Sequence, residues 1–416
     1  MARAYLLGIA EEQRQINVLR RERRARRALS DPMNLPDQEF EAHFRLSKKV
    51  FRTTSQELRP YMTQRRRITA VPHKLKVLAA VSFYAQGSYQ KSVGSSYLFN
   101  MSQPTYIRCL HEVTNALNNP EIIRTHVKFP FTREERQNIM EKFMEKFGFP
   151  GTIGCVDGTH VALIRPVEHE ETFFNRKSYH SLNILIICDM ELNILYADAS
   201  FGGAAHDSFV WNQCPIKEYM EELHNNEEHC WLLGDSGYAQ RPYMMTPILG
   251  AAPGTPEEYY TNLHCRVRNT VERCIGVLKA RWRCLLAHRV LHYNPILSGK
   301  IVNECVVLHN IANASRSPLP ELPLAERDND LQRQPVVAVP ANIDGARDIL
   351  VNRLWRGRYE KKSCIVLVQV FYILKSRTQN NFVTIYKHIC YLINISFHCI
   401  FFLLFVRESA ITMHIL

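Results

Sequence analysis

Apolar residues in this chain follow two different periods, and the change from one to the other divides it. Up to about residue 147 the spacing is helical. Residues 11–29 form a polar helix, and Phe44, Leu46, Val50, Phe51 and Leu58 form an apolar stripe. Lys74–Gly87 makes a further helix closed by Gly87 in a C-cap position. Ser102 can cap a helix with Pro104 in its first turn, along which Ile107, Leu110, Val113 and Leu117 recur. Phe131–Phe147 is another amphipathic helix, ended by Gly148 and Pro150. Short apolar runs with strand character follow: Thr152–Val156, His160–Ile164, Leu182–Cys188, Ile194–Ser200 and Cys230–Leu233. Turn-like Asp189–Asn193 joins the third and fourth of these as a hairpin, and Asp207–Gln213 starts a helix.

Several strands in a meander, then a helix, a strand and a helix carrying Glu272, match an RNase H-like α/β order. The expected fold is therefore α/β, with an all-α region in front. In that region a short helix, a turn and a helix with Gln103, Thr105 and Arg108 near its start resemble a helix-turn-helix, with an ordinary small helical bundle as the bland alternative. Five segments result: a basic arm over 1–36, the helical region over 37–147, the α/β domain over 148–313, a linker and short helix over 314–362, and an apolar tail over 363–416. Ile389–Val406 is an 18-residue run without charge, the bare length of a membrane span, but Asn394, Ser396 and His398 argue against insertion. A divergent tail is the preferred reading, so a membrane partner is not expected.

Charge sharpens the division. The formal net charge is +12, and residues 1–67 hold 16 Lys and Arg against 8 Asp and Glu. Six arginines fall within Arg20–Arg27, which fits a solvated helical face as well as a nuclear-import or nucleic-acid patch. The twelve cysteines form no C-x-x-C pair, which argues against a zinc ribbon or finger. Cys155, Cys188 and Cys230 sit in apolar runs as small buried hydrophobes, and Trp211, Trp231 and Trp282 are expected in the core. No signal peptide opens the chain, and the expected setting is reducing and intracellular.

Three acids carry the chemistry: Asp157 in IGCVDGTHVAL, Asp235 in WLLGDSGY and Glu272 in RNTVERCIGVLKARW. Each falls where a buried strand is expected to end or a helix to begin, although 78 and 37 positions separate them. Carboxylates brought into one pocket repel unless a divalent cation holds them, which points to two Mg²⁺ or Mn²⁺ ions and phosphodiester chemistry. One aspartate after a strand is commonly a turn residue; three together favour the metal site. Arg268, Arg273, Lys279 and Arg281 lie on the helix of Glu272 as candidate phosphate contacts. His206 and Asp207 are accessory candidates, with Asp207 equally suited to capping its helix. His160 is better explained as a structural histidine than as a ligand.

VDGTH, NRKSYHSLN, HDS, LLGDSGY, TP-x-E, VERCIGVLKARWRCL and VLHN occur in this order, and the chain resembles the PIF/Harbinger transposase superfamily, including its domesticated, transposase-derived nucleases. The resemblance covers roughly residues 40–313 and is densest from Gly151 to Asn313. It implies a metal-dependent DDE endonuclease that hydrolyses DNA with Asp157, Asp235 and Glu272, preceded by a helix-turn-helix-like region. It further implies a Myb/SANT-like DNA-binding partner protein, no small-molecule cofactor, and residence in the nucleus, with the cytoplasm as a second compartment. The alternative is a catalytically weak DNA- or chromatin-binding protein that keeps the transposase fold. Two departures from the family pattern, FGGAAHDS before the helix and Ser178 where glycine is usual, suggest reduced activity.

Overall fold

The computed structural model describes residues 2–64, 67, 69–87, 97–320 and 345–358. Met1–Val351 forms one unit and Asn352–Leu416 a second, of which the described part is the helical stretch 352–358. The apolar run 389–406 lies outside the described residues. Among the described residues, no helix is long and apolar enough to cross a membrane.

Among the described residues seven helices come first: α1 (Ala2–Leu29), α2 (Asp37–Phe44), α3 (Lys48–Leu58), α4 (His73–Gln86), α5 (Gln103–Leu117), α6 (Pro120–His126) and α7 (Arg133–Phe147). Their ends follow local rules. Thr132 and Glu135 cap α7 reciprocally, and Gly148 closes it in the left-handed region at φ +71°. Ser102 does sit at the N-cap of α5, but its hydroxyl pairs with Thr105 Oγ1 at 2.9 Å and not with a backbone N–H. α4 is buried around most of its circumference, from Leu75 through Val77–Ala85, so it runs through the interior of the region. The short helix expected before α5 falls largely on residues 88–96, outside the described residues.

The sheet contains β1 (Thr152–Ala162), β2 (Ser181–Cys188), β3 (Ile194–Gly202), β4 (Trp231–Leu233) and β5 (Met244–Met245), in the order β3-β2-β1-β4-β5. β1, β2 and β3 are mutually antiparallel neighbours, while β4 and β5 run parallel to β1. This is the RNase H-like arrangement. The hairpin falls where expected, with Asp189 accepting from the backbone N–H groups of Glu191 and Asn193 in its turn. The two strands expected over 152–164 are a single one, because Gly158 and Thr159 stay extended and paired to β2. The two-residue β5 carried no periodic signal.

Helices cover both faces. α8 (Asp207–Asn212) and α9 (Pro215–Asn225) bring Val210, Trp211, Ile216 and Met220 onto Val156, Leu185 and Ile187. α10 (Pro256–Arg281) and α11 (Pro295–Ala314) lie on the other face, where the Cys155 thiol reaches Val267 O at 3.6 Å and the Cys274 thiol reaches Leu192 O at 3.5 Å. Each large apolar side chain buried here contributes roughly 1.5–3 kcal/mol. Trp211, Trp231 and Trp282 are all buried, as expected.

Strand lengths create the site. The ladder between β1 and β4 ends at the pair Cys155 and Leu233. β1 continues for seven more residues with β2 alone, and its burial relaxes from Asp157 to His160. A crevice therefore opens beyond the carboxyl ends of two parallel strands, the usual ligand position in open α/β sheets.

Candidate active site

The parallel register explains how residues 78 positions apart become neighbours. Cys155 pairs with Leu233, and Asp157 and Asp235 each lie two residues further along. Both carboxylates thus emerge at one end of adjacent strands. Asp157 Oδ1 accepts the Gly158 N–H at 3.0 Å, and Asp235 Oδ1 accepts the Gly237 N–H at 2.9 Å.

Glu272 arrives from α10, past the middle of that helix and not at its start as expected. Thr255, with Pro256 and acids Glu257 and Glu258 in the first turn, starts the helix far upstream. Tyr260, His264, Val267, Val271, Cys274 and Leu278 form its buried stripe, which sets Arg268 and Glu272 on one flank, a turn apart. Arg268 ties the acids together: its Nη2 lies 2.7 Å from Asp157 Oδ2, and its Nη1 pairs with Glu272 Oε1.

A fourth carboxylate joins from the opposite face of the sheet. Asp207 is the first residue of α8; His206, not Asp207, holds the N-cap position. Asn183 Nδ2 donates to Asp207 Oδ1 at 2.7 Å. Gly158 makes room for it, since a Cβ there would lie 2.1 Å from Asp207 Oδ1. His206 itself is exposed. The glycines of FGGAAHDS are needed by packing: a Cβ on Gly202 would lie 2.1 Å from Thr172 O, and one on Gly203 2.0 Å from Ser181 Oγ.

Crowding shows in the electrostatics. Burial pushes the Asp157 carboxyl up to about 7, Arg268 opposes that rise, and Asp235, Asp207 and Glu272 add to it. Asp207 is raised by burial and by Asp235, against its bond from Asn183. Burial alone would lower the Arg268 guanidinium, but Asp157, Glu272 and Asp235 hold it above its ordinary value. The buried Tyr238 hydroxyl, raised by burial and then by Asp207, Asp157 and Asp235, has no hydrogen-bond partner.

Among the described residues, no three carboxylates, histidines or cysteines form a ready-made metal cage. The donor set still fits a hard divalent cation: oxygen ligands from four acids, the Arg268 guanidinium set against Asp157 and Glu272, and an orphaned hydroxyl beside the group.

The other expected site residues separate. Arg273 is exposed on α10. Lys279 donates to His160 O at 3.1 Å, a tie between α10 and β1. Arg281 is 1% exposed and donates to Asn313 Oδ1 at 3.0 Å, so it cannot be a DNA contact; burial lowers it to about 10. His160 Nδ1 lies 3.0 Å from Ser181 Oγ, as a structural histidine should. Sequence reasoning missed Gly158, Asn183 and Tyr238, though VDGTH, NRKSYHSLN and GDSGY contain them; Arg266 and Asn269 are exposed on the same helix face as Arg273.

The family model of the DDE superfamily endonucleases matches residues 156–310, which contain all three acids. Relatives extend the match. The chain is 35% identical over 252 residues to "Putative nuclease HARBI1" of Bos taurus, covering 60% of this chain and 69% of that protein. It is 35% identical over 253 residues to the Homo sapiens protein of that name, with the same coverage. It is 22% identical over 313 residues to "Protein ALP1-like" of Arabidopsis thaliana, covering 71% and 76%. This chain belongs to the DDE superfamily endonucleases, on the Harbinger transposase-derived branch. No solved structure matches it.

Proposed function

We propose that this DDE-family chain is a divalent-cation-dependent DNA endonuclease that hydrolyses phosphodiester bonds through Asp157, Asp235 and Glu272, with Asp207 as a fourth carboxylate. The observation that carries the reading is the register of β1 and β4, which sets Asp157 beside Asp235 in an open crevice that Arg268 also joins to Glu272. These acids would hold Mg²⁺ or Mn²⁺. When bound, such ions activate water and neutralise a leaving 3′-oxygen. The chain's own residues do the rest. Gly158 admits Asp207, and Asn183 orients it. Arg266, Asn269 and Arg273, at i, i+3 and i+7 on exposed α10, suit the phosphates of a strand lying along the crevice.

A Myb/SANT-like partner is carried over from the family resemblance alone; nuclear residence belongs to the same proposal. Its support is the arginine cluster of α1, where Arg20, Arg21, Arg24 and Arg26 are exposed while Arg27 Nη1 is committed to Asn100 O at 2.8 Å.

The deciding experiment is a nicking assay on plasmid DNA with Mg²⁺ or Mn²⁺, with EDTA, and with Asp157→Asn. Cutting that needs the cation and disappears in Asp157→Asn supports the reading. Equal cutting in EDTA, or by Asp157→Asn, overturns it. A catalytically weak DNA- or chromatin-binding protein is the second reading, favoured by the guanidinium standing between Asp157 and Glu272. Salt-sensitive DNA binding with no cation-dependent cutting would select it.

A further inference from the structure

Arg268 occupies an unusual position. Its side chain is 15% exposed, and its two Nη atoms engage one acid from β1 and another from its own helix. The Nε atom is buried and has no hydrogen-bond partner, so the head group is held from one side only, by the two carboxylates. A guanidinium does not deprotonate at any physiological pH, so this positive charge is permanent. It therefore offsets the repulsion that Asp157, Asp235, Asp207 and Glu272 exert on each other.

We propose that Arg268 is a resident counter-cation that the divalent cation must displace from Asp157 and Glu272 before the site can work. This rests on the endonuclease reading above and adds to it a competition inside the site. One arginine supplies a single charge and fits two acids edge-on, whereas a divalent cation supplies two charges and draws oxygen ligands within about 2.0–2.6 Å. While Arg268 holds Asp157 Oδ2 and Glu272 Oε1, it competes with the cation for those oxygens. Without the cation, Arg268 keeps the acids together and the fold intact. With it, the guanidinium must turn away, and its release lowers the observed affinity for the cation.

The test is Mn²⁺ binding to the full chain without DNA, followed by calorimetry and by the rise in melting temperature on Mn²⁺ addition. Four proteins are compared: the unsubstituted chain, Arg268→Gln, Arg268→Lys and Asp157→Asn. Removing the competitor in Arg268→Gln should tighten Mn²⁺ binding by tenfold or more, about 1.4 kcal/mol. Arg268→Lys keeps the charge but loses the two-pronged grip, so it should fall between. Arg268→Gln should also melt lower than the unsubstituted chain without Mn²⁺ and gain more on its addition. Should Arg268→Gln fold only when Mn²⁺ is present, that dependence supports the proposal; should it not fold at all, Arg268→Lys decides, and unchanged or weaker binding there overturns it. Arg268→Gln binding Mn²⁺ no better, while Asp157→Asn binds it far worse, overturns the counter-cation and leaves the site reading standing. Binding that survives Asp157→Asn unchanged removes the site reading and the proposal together.

Discussion

Two regions of this molecule take carboxylates out of water, and they do so in opposite ways. In the crevice, Asp157, Asp235, Asp207 and Glu272 act on one another and Arg268 supplies the opposing charge. At the junction between α11 and the N-terminal helices, Glu304 is fully buried beside Tyr84 and Thr114. Its Oε1 accepts from Asn118 Nδ2 at 3.2 Å. Burial pushes Glu304 up to about 8, against the Tyr84 and Thr114 hydroxyls and Lys300, one turn away, which lower it. A lone acid among hydroxyls escapes its desolvation cost by staying protonated. In the crevice a permanent guanidinium opposes the same rise at Asp157 and pairs with two of the acids. The first arrangement stabilises a junction; the second is suited to hold a cation.

The largest expected effect breaks the crevice alone. Asp157→Asn and Glu272→Gln should each lower cation-dependent cutting by more than about a hundredfold, since loss of supporting groups around a metal already costs 10–100-fold. DNA binding measured by fluorescence anisotropy should persist in both. A variant that still cuts would make the two regions alike, each a structural use of buried acid.

Gly158→Ala comes next. The new Cβ would meet the Asp207 carboxylate, forcing it off Asn183 and away from Asp157. Cutting should fall roughly tenfold to a hundredfold, with a loss of stability on the order of 1–3 kcal/mol from overpacking. Mn²⁺ calorimetry and thermal melting separate the two. Unaltered Mn²⁺ affinity would remove Asp207 from the site.

How much of this the sequence disclosed depends on what each feature rests on. The period change near residue 147, the hairpin at Asp189 and the helix ends at Gly87 and Gly148 rest on local chemistry, and all were legible. The meeting of Asp157 and Asp235 was legible only as a motif, because register between distant parallel strands leaves no local mark. The position of Glu272 within α10 was misjudged because Thr255, the residue that starts the helix, lies well upstream of the motif. Arg281 looked like a phosphate contact on charge alone, while its fate was decided by α11 packing over it. The pairing of Arg268 with Asp157 joins residues 111 positions apart and had no sequence signal.

Glu304→Gln sharpens the other half of the comparison. Its carboxyl titrates near 8 in the folded chain and near 4.3 when unfolded, so the folded state holds a proton that the unfolded state has lost between those values. Stability contributed by Glu304 is therefore full below about pH 4 and is lost as pH rises through about 8. Glutamine keeps the shape and cannot ionise. Above pH 8 the variant should be more stable, on the order of 1–3 kcal/mol, and the difference should vanish near pH 4. Melting curves across that range check it; a difference that is flat with pH would show that Glu304 is charged in the fold. Cutting at a fixed pH should not change.

The smallest effect lies on the loop between β1 and β2. Ser178 has φ +63°, the left-handed region that glycine adopts freely and serine does not. The conformation is imposed by its neighbours: Ser178 N–H donates to Asn175 O, and the Asn175 side chain accepts from the Lys177 backbone and donates to Ser181 Oγ at 2.7 Å. Ser178 itself is exposed, so its side chain contributes little packing. Ser178→Gly should relieve the backbone cost, less a small loss from the freer unfolded chain, for a net gain below about 1 kcal/mol. Thermal melting reads that gain. Because Ser181 is the residue that Gly203 and His160 both approach, a change here can also reach the crevice wall. If Ser178→Gly raises cutting while leaving Mn²⁺ affinity unchanged, serine at this position limits activity through the loop, and the functional region extends beyond the carboxylates. If only the melting temperature moves, the loop belongs with Glu304, as a part of the fold that the chemistry does not use.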